Sequence, residues 1–265
     1  MPELPEVEIA RRNLERHTGG GEIVALEPLP GADLEGDVAH AVGAVLARWE
    51  RHGKLLVGRL AGGGAVLSHL GMTGKWVRDA DDRPHQRVLL AVRRGDDVAR
   101  VSLVDPRRLG WVRVTDDPDA WLDRLGPDAL DPALDAATLA ARAGGGRVPL
   151  KTRLLDQARV AGLGNICVLE ACFRAGVHPH TPAGAVPPAA WERLLDGARA
   201  HIAHTLEVEA GEEITYLSEG GDNPFLVYGR AGSPCPRCAA PIARDVLAGR
   251  PTFFCPTCQP APAAA

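Results

Sequence analysis

Residues 54–70 read KLLVGRLAGGGAVLSHL, which are two short apolar runs separated by turn residues. Runs of this length between turn residues are typical of β-strands. The region from Glu22 to about Val114 contains six more of them and no long helical pattern: EIVALEPL, AVLARWE, KWVR, RVLLAVR, RVSLV and GWVRV. Eight strands in succession predict an antiparallel sandwich or barrel in this part of the chain.

A helix is predicted before the first strand. Pro5 occupies a position that the first turn of a helix tolerates, and Val7, Ala10 and Leu14 follow at helical spacing. Three consecutive glycines at residues 19–21 end the pattern. We therefore expect a helix that begins almost at the first residue.

The segment after the strands has a helical pattern. A stretch rich in proline and aspartate, residues 116–132, leads out of the strand region, and Asn223-Pro224 ends the helical one. The helical runs are ALDAATLAARA, PLKTRLLDQARV, NICVLEACFRAG and PAAWERLLDGARAHIAHTLEVE. We predict an α+β multidomain protein with the following divisions: a strand domain at 1–130, a helical domain at 131–224, a metal-bound hairpin at 225–259 and a disordered tail at 260–265.

Length and composition exclude several classes of protein. The chain has 265 residues, of which 45% are apolar and 24% charged, so neither a disordered nor a fibrous protein fits. No apolar run is long enough to span a bilayer, and three glutamates within the first eight residues do not fit a secretion signal. We expect a cytoplasmic chain with no membrane partner. The net charge of -4 provides no overall attraction to nucleic acid, so such a partner requires a local cationic patch.

Four of the six cysteines form two C-x-x-C pairs separated by 16 residues: Cys235, Cys238, Cys255 and Cys258. This spacing is typical of a four-thiolate site that holds one structural Zn²⁺. A redox C-x-x-C motif is the competing interpretation. Cys167 and Cys172 lie in a helical run and are interpreted as small buried residues.

The segment around these cysteines is cationic. Asp245 is its single acidic residue, against four arginines: Arg230, Arg237, Arg244 and Arg250. Exposed arginines on a zinc hairpin favour contact with phosphate, as in nucleic acids. A solvated charged face is the alternative.

The amino terminus carries a second candidate for chemistry. Removal of the initiator methionine would leave Pro2 with a free secondary amine, and terminal amines titrate near pH 7.7–8. Such an amine attacks an aldehyde-level carbon to form an iminium ion, which permits elimination. Glu3 is adjacent and Glu6 is one helical turn away, so either carboxylate could transfer protons there.

Six motifs occur in the order MPELPEVE at 1–8, HGK at 52–54, HLGMTG at 69–74, DPRRLG at 105–110, GLGNI at 162–166 and the cysteine hairpin. Together they resemble the formamidopyrimidine-DNA glycosylase/endonuclease VIII family, and HLGMTG and DPRR favour the first branch. The resemblance implies a β-sandwich with an N-terminal helix, a helical domain with a helix-two-turn-helix and a zinc β-hairpin, with duplex DNA between the domains.

The resemblance also implies an activity. An enzyme of this family excises oxidised bases from double-stranded DNA through a Schiff base on Pro2, and β- and δ-elimination then leave a gap with phosphates at both ends. Glu3 would be the acid/base group and Glu6 a second active-site carboxylate. We expect a monomer acting on damaged DNA in the bacterial cytoplasm, at the nucleoid.

The resemblance further implies residues that hold DNA. Lys54, Asn165 and Arg250 match the family's phosphate clamp, with Lys54 counted among the catalytic set, and Lys151 matches a lysine near the site. The implied wedge, which fills the space of the extruded base, consists of Met72, Arg107 and Leu109. From the residues alone, Lys54 would be a turn lysine, Asn165 a helix cap, Met72 a core residue and Arg107 a solvated charge.

The sequence departs from the family pattern at two places. Leu109 stands where the oxidised-purine branch usually has phenylalanine, and the segment ITYLSEGGDNPFLVYGR resembles a shortened form of the loop that caps an extruded base. A glycosylase that prefers oxidised pyrimidines is therefore one alternative. Two others are a non-catalytic zinc-containing DNA-binding protein and a zinc ribbon that serves protein contacts.

Overall fold

The computed structural model describes residues 2–80, 83–208 and 223–262. The chain divides into two compact units, with the change between Arg124 and Leu125. The first contains the strand region. The second contains the predicted helical region together with the cysteine hairpin. Within the described ranges, no helix has the length and apolarity needed to cross a bilayer.

The first unit contains nine strands and three helices within its described residues. The strands are β1 (Gly21–Pro28), β2 (Leu34–Gly36), β3 (Val45–His52), β4 (Leu55–Leu60), β5 (Ala65–His69), β6 (Lys75–Arg78), β7 (Gln86–Arg94), β8 (Asp97–Val104) and β9 (Trp111–Thr115). The helices are α1 (Leu4–Thr18), α2 (Val38–Ala41) and α3 (Asp119–Leu122).

The strands form one hydrogen-bonded sheet in the order β2-β9-β5-β4-β3-β1-β7-β8-β6. All eight predicted strands are confirmed. The sequence prediction missed β2, which has three residues, Leu34–Gly36, and pairs in parallel with β9, whereas every other pair is antiparallel. A strand this short and this exposed has no alternating apolar pattern to detect.

The sheet folds over into a sandwich. Strands β5 and β6 are six positions apart in the sheet order, which in a flat sheet would separate them by about 29 Å. Nevertheless the indole Nε1 of Trp76 on β6 donates a buried 3.1 Å hydrogen bond to Ser68 Oγ on β5. The end strand β6 therefore faces β5 across a core, as the predicted sandwich requires.

Helix α1 packs against this sandwich through its apolar side, which includes Leu4, Val7 and Leu14. It begins with a capping box and has proline in its first turn. Near its end, the hydroxyl of Thr18 accepts a buried hydrogen bond of 2.9 Å from the indole of Trp49 on β3. The sandwich therefore holds α1 both along its apolar side and at its last turn.

The second unit contains four α-helices and a hairpin within its described residues. They are α4 (Ala136–Ala143), α5 (Leu150–Leu154), α6 (Asn165–Ala175), α7 (Pro188–Val208), β10 (Ala243–Leu247) and β11 (Arg250–Phe254), with a short 3-10 turn at Ala183–Ala185. Strands β10 and β11 pair antiparallel. The predicted tail falls partly outside the described residues, which end at 262.

Helix α5 is much shorter than its sequence pattern, which continues to residue 160. Polar side chains after Leu154 take over the backbone groups that a longer helix would need. The carboxylate of Asp156 accepts from the backbone of Ala158, while the amide of Gln157 donates to the carbonyls of Leu155 and Leu163. The extended helix prediction is therefore wrong over these residues, where turns lead from α5 into α6.

The cysteine hairpin shares a core with α6. Side chains from both parts form one buried cluster, consisting of Leu169, Phe173, Val227, Cys235, Ile242, Phe253 and Cys255. The fully buried carboxylate of Glu170 accepts hydrogen bonds from three successive backbone N–H groups at 226–228 and one from Arg174. Apolar packing and a buried charge therefore both hold the hairpin segment to the helix.

Candidate active site and metal centre

The three residues proposed for chemistry lie together at the start of α1. Pro2, Glu3 and Glu6 are all buried, with Glu3 only 2% exposed. Glu6 Oε2 accepts a 2.7 Å hydrogen bond from the backbone N–H of Glu3, and the side chain of Glu3 caps the helix in return. The helix start therefore fixes both carboxylates beside Pro2, and its positive end points toward them.

A partly buried network of ion pairs connects α1 to the turn that carries Lys54. Glu8 on α1 pairs with Arg11 and with Arg51 on β3, and Arg51 also donates to the carbonyl of Gly53 at 2.9 Å. Burial alone would raise the pKa of Glu8, but the hydrogen bonds and charges of the neighbouring guanidinium groups lower it. Glu8 is therefore held as a carboxylate between the helix and the turn.

His69 lies at the end of β5, directly across from Leu55, and close enough to Lys54 to be affected by its charge. Burial and the charge of Lys54 together lower the pKa of His69. Its Nδ1 accepts from the backbone N–H of Gly71 at 3.1 Å, and its ring stacks on Trp111. Sequence reasoning assigned His69 no role, although it begins the quoted HLGMTG motif.

The turn with Met72 and the turn with Arg107 and Leu109 pack against each other. Gly71 has a φ of +63°, and a Cβ there would lie 2.4 Å from the carbonyl carbon of Leu109. Only glycine allows this close approach. The side chains of Arg107 and Leu109 are exposed and that of Met72 is half-buried. The structure therefore brings the three predicted wedge residues onto one pair of adjoining turns.

Asp105 organises both turns, and sequence reasoning missed it. Its fully buried carboxylate accepts hydrogen bonds from the hydroxyl of Thr73 and from the backbone N–H groups of Arg107, Leu109 and Gly110. Burial raises the pKa of Asp105, but these four hydrogen bonds outweigh it, so the pKa is lowered overall. The signal available in the sequence was an aspartate directly before a proline-containing turn.

The second unit brings three predicted residues to one hairpin turn. Arg250 is exposed where β11 begins. Behind it, Nζ of the fully buried Lys151 donates to the carbonyls of Arg250 and Pro251 and, at 2.8 Å, to Thr252 Oγ1. The side-chain amide of Asn165 donates to the same Pro251 carbonyl at 3.0 Å. Lys151 and Asn165 therefore support the turn that presents Arg250.

The other hairpin arginines differ in their contacts. Arg237 donates to the carbonyls of Phe173 and Arg174 at the end of α6 and lies over the Phe173 ring. This contact caps the helix, so we assign Arg237 a structural role. Arg244 and Arg250 are exposed, and neither side chain has a hydrogen bond among the described residues. These two are therefore the hairpin arginines whose side chains are available for contact with a ligand.

The four hairpin cysteines converge. Their sulfur atoms all lie within 4.8 Å of one another: Cys235, Cys238, Cys255 and Cys258. The first sulfur of each pair, on Cys235 and on Cys255, accepts a 3.4 Å hydrogen bond from a backbone N–H group of its own turn. These bonds help to hold the two turns in shape. Four sulfurs in this arrangement fit a structural Zn²⁺ with no open coordination position. Cys167 and Cys172 are fully buried in α6, as predicted.

Three domain models of known protein families match successive parts of this chain. The formamidopyrimidine-DNA glycosylase N-terminal domain matches residues 1–112, the formamidopyrimidine-DNA glycosylase H2TH domain matches 125–216, and the zinc finger found in FPG and IleRS matches 232–261. The chain belongs to the formamidopyrimidine-DNA glycosylase family. The zinc finger match and the converging sulfurs together confirm one structural zinc.

Full-length relatives agree with this assignment. The formamidopyrimidine-DNA glycosylase of Acidiphilium cryptum is 37% identical over 98% of this chain and all of the relative, and that of Caulobacter sp. strain K31 is 36% identical over the same shares. The MutM (Fpg) crystal structure from Thermus thermophilus superimposes with a TM-score of 0.84 at 35% identity, covering 97% of this chain and 98% of that one. Lactococcus lactis Fpg, solved with DNA containing FAPY-dG, has a TM-score of 0.84 at 29% identity and covers 98% and 100%.

These comparisons confirm the family and the fold class that the motifs implied. The roles of individual residues in this formamidopyrimidine-DNA glycosylase family member stay predictions. The predicted short capping loop also stays a prediction, because residues 214–222 of that segment lie outside the described residues.

Proposed function

We propose that Pro2 is the nucleophile of a DNA glycosylase that excises oxidised bases and then cleaves the strand as an AP lyase. After removal of the initiator methionine, the Pro2 nitrogen bonds to C1′ of the damaged nucleotide and the bond from C1′ to the base breaks. The departing base carries away the electron pair of that bond and takes up a proton, which balances the proton that the Pro2 nitrogen loses. Glu3 protonates the ring oxygen as the sugar opens, which leaves an iminium ion between Pro2 and the open-chain sugar.

The two eliminations follow from the same intermediate. The iminium ion acidifies the proton on C2′, and its removal expels the 3′ phosphate by β-elimination. A second proton loss expels the 5′ phosphate by δ-elimination, so the product is a one-nucleotide gap with phosphates at both ends. Glu6 is placed to accept or return protons, since its carboxylate is fixed beside Glu3 by the capping box.

The observation that carries this proposal is the arrangement of Pro2, Glu3 and Glu6 at one buried helix start. A capping box by itself needs only that the side chains bond to backbone. A proline directly before the cap residue Glu3, in a chain of this family, adds a candidate nucleophile at the same helix start. A non-catalytic DNA-binding protein would have no use for this combination.

DNA binding is assigned to separate groups. We assign phosphate contacts to Lys54, Asn165 and Arg250, and the wedge to Met72, Arg107 and Leu109. Lactococcus lactis Fpg and a MutM protein have been solved with lesion-containing or abasic DNA, which supports duplex DNA as the partner here. We propose a monomer that acts on nucleoid DNA in the bacterial cytoplasm, since the full-length relatives named above are bacterial.

A preference for oxidised pyrimidines is the second candidate, and Leu109 is the observation that favours it. Its side chain is 46% exposed on the wedge turn, so it is available to contact DNA. Leucine cannot stack on a base as an aromatic ring does. The lesion and partner-base preference of this chain should therefore differ from that of relatives with phenylalanine at this position.

Borohydride trapping on duplexes with different lesions tests the proposal, because reduction fixes the iminium ion as a stable adduct. We expect the adduct to map to the peptide that begins with Pro2, and Pro2→Gly to retain weak trapping. Pro5→Ala, which alters the same helix start without touching the nucleophile, should trap normally. An adduct on another peptide, or full activity of a protein extended before Pro2, would contradict the mechanism.

A further inference from the structure

Asp245 is the single acidic residue in the cationic segment 223–262. It lies on β10, and its Oδ2 is 2.9 Å from Nε2 of His180, which belongs to the loop between α6 and α7. Oδ1 of Asp245 and Nε2 of His180 are both buried and make no hydrogen bond of regular geometry among the described residues, so the two side chains meet in a close contact and not in a directed hydrogen bond. The half-exposed carboxylate of Asp245 therefore contacts the helical part of the unit on one side.

The loop that carries His180 is itself firmly held. The backbone N–H of His180 donates to Nδ1 of His178 at 3.1 Å, and the His178 ring packs edge-on against Phe254 of β11. Two backbone hydrogen bonds join the start of α5 to the same loop, from Leu150 to Thr181 and from Lys151 to Pro179. His180, which contacts Asp245, is therefore held in place relative to α5.

Asp245 and Lys151 reach the hairpin from the same junction. Asp245 is the cross-strand partner of Thr252, whose hydroxyl accepts from Lys151 Nζ. Burial, and then the charge of Arg250, lower the pKa of Lys151 to about 8, while the charge of Asp245 acts in the opposite direction. Asp245 therefore favours the ammonium form of Lys151, which is the form that donates all three hydrogen bonds to the turn of Arg250.

We propose that Asp245, paired with His180, is a positioning residue that sets the orientation of the Arg250 turn for DNA binding. The inference rests on the proposed function, since it concerns the same phosphate contact. An acidic group on a surface that meets phosphates weakens binding by repulsion when it has no other effect. The sign of its effect on affinity therefore separates a positioning role from a plain surface charge.

The test is Asp245→Asn in the full-length zinc-bound protein, with binding measured on a duplex that contains a tetrahydrofuran abasic analogue. A positioning role predicts roughly tenfold weaker binding, although the hairpin becomes more cationic. A surface charge predicts tighter binding, which would overturn the proposal. Asp196→Asn, an equal charge change at an exposed site on α7, serves as the matched control and should leave affinity nearly unchanged.

A second pair of variants keeps the proposal testable if Asp245→Asn loses zinc. His180→Gln retains a nitrogen donor near Asp245, whereas His180→Phe retains a ring without one. We expect His180→Gln to bind the duplex almost as well as the unmodified protein and His180→Phe to bind as weakly as Asp245→Asn. Equal affinity of the two His180 variants would overturn the proposal.

Failure of the proposed function is recognised separately. Borohydride trapping at saturating abasic duplex measures the chemistry after binding, and we expect Asp245→Asn to trap at the unmodified rate there. If the unmodified protein gave no adduct, the proposed function would fail. If the unmodified protein gave a normal adduct and Asp245→Asn bound DNA as tightly as the unmodified protein, only the positioning role would fail.

Discussion

Replacing Asp105 by asparagine should separate base excision from strand cleavage. The carboxylate of Asp105 accepts from the hydroxyl of Thr73 and from three backbone N–H groups of the turn that carries Arg107 and Leu109. Oδ2 alone receives two of these bonds, each 2.7 Å long. In asparagine one of the two oxygens becomes an NH₂ group, which cannot accept from a backbone N–H.

The magnitude follows from these contacts. Hydrogen bonds to a charged acceptor contribute about 1.5–3 kcal/mol each, so the loss of two should destabilise the turns by about 3 kcal/mol or more. Because hydrogen bonds lower the folded-state pKa of Asp105, its contribution to stability is fully present above the ordinary carboxyl pKa of about 3.9. This stability contribution is lost only as the pH falls through the lowered pKa of Asp105 in the folded protein. The turns of the unmodified protein should therefore remain intact at pH 5.

The assay compares two substrates for Asp105→Asn and for the unmodified protein. Excision of a lesion from an intact nucleotide needs the wedge, whereas cleavage at a pre-formed abasic site has no base to extrude. We expect excision to fall at least tenfold more than abasic-site cleavage, with zinc content unchanged. Asp135→Asn, at the exposed N-cap of α4, should change neither, because asparagine caps helices as well as aspartate does. Equal loss on the two substrates would refute the assignment of these turns as the wedge.

Three further predictions concern the second unit. Burial lowers the pKa of Lys151 to about 8, so duplex affinity should fall as the pH rises through 8. Because this pKa is lower in the folded than in the unfolded protein, the unfolding free energy should rise between about pH 8 and 10.5. The variant Lys151→Met should show neither change with pH. Glu170→Gln should loosen the hairpin segment by about 2 kcal/mol, measured as faster zinc loss to a chelator, while Glu192→Gln on the exposed side of α7 should not. Ala248 has a φ of +51° in the two-residue turn between β10 and β11, so Ala248→Asn should raise the unfolding free energy by about 0.5–1 kcal/mol in urea denaturation, and an unchanged midpoint would contradict this.

Features that depend on neighbouring residues were predictable from the sequence. The eight strands follow from short apolar runs between turns, and the zinc site follows from the spacing of two C-x-x-C pairs. The helix at the amino terminus follows from its proline, its apolar spacing and the glycines that end it. In each case the physical cause lies within a few residues or in a fixed ligand geometry.

Features that depend on a distant partner were not predictable in the same way. Nothing near Asp105 indicates that Thr73 will donate to it, and nothing in α6 indicates that Glu170 will accept from 226–228. The early end of helix α5 is a different case, because its cause is local: polar side chains compete for its backbone groups, and the apolar spacing, which continues, does not reveal that competition.

The amino-acid sequence by itself therefore determined the order of strands and helices, the zinc ligands and the family resemblance. The tertiary structure alone decided which groups satisfy the buried carboxylates, as with Asp105 and Thr73 or Glu170 and the backbone at 226–228. The reason is that a buried charge is stable only with a partner, and that partner is supplied by chain folding rather than by proximity in sequence.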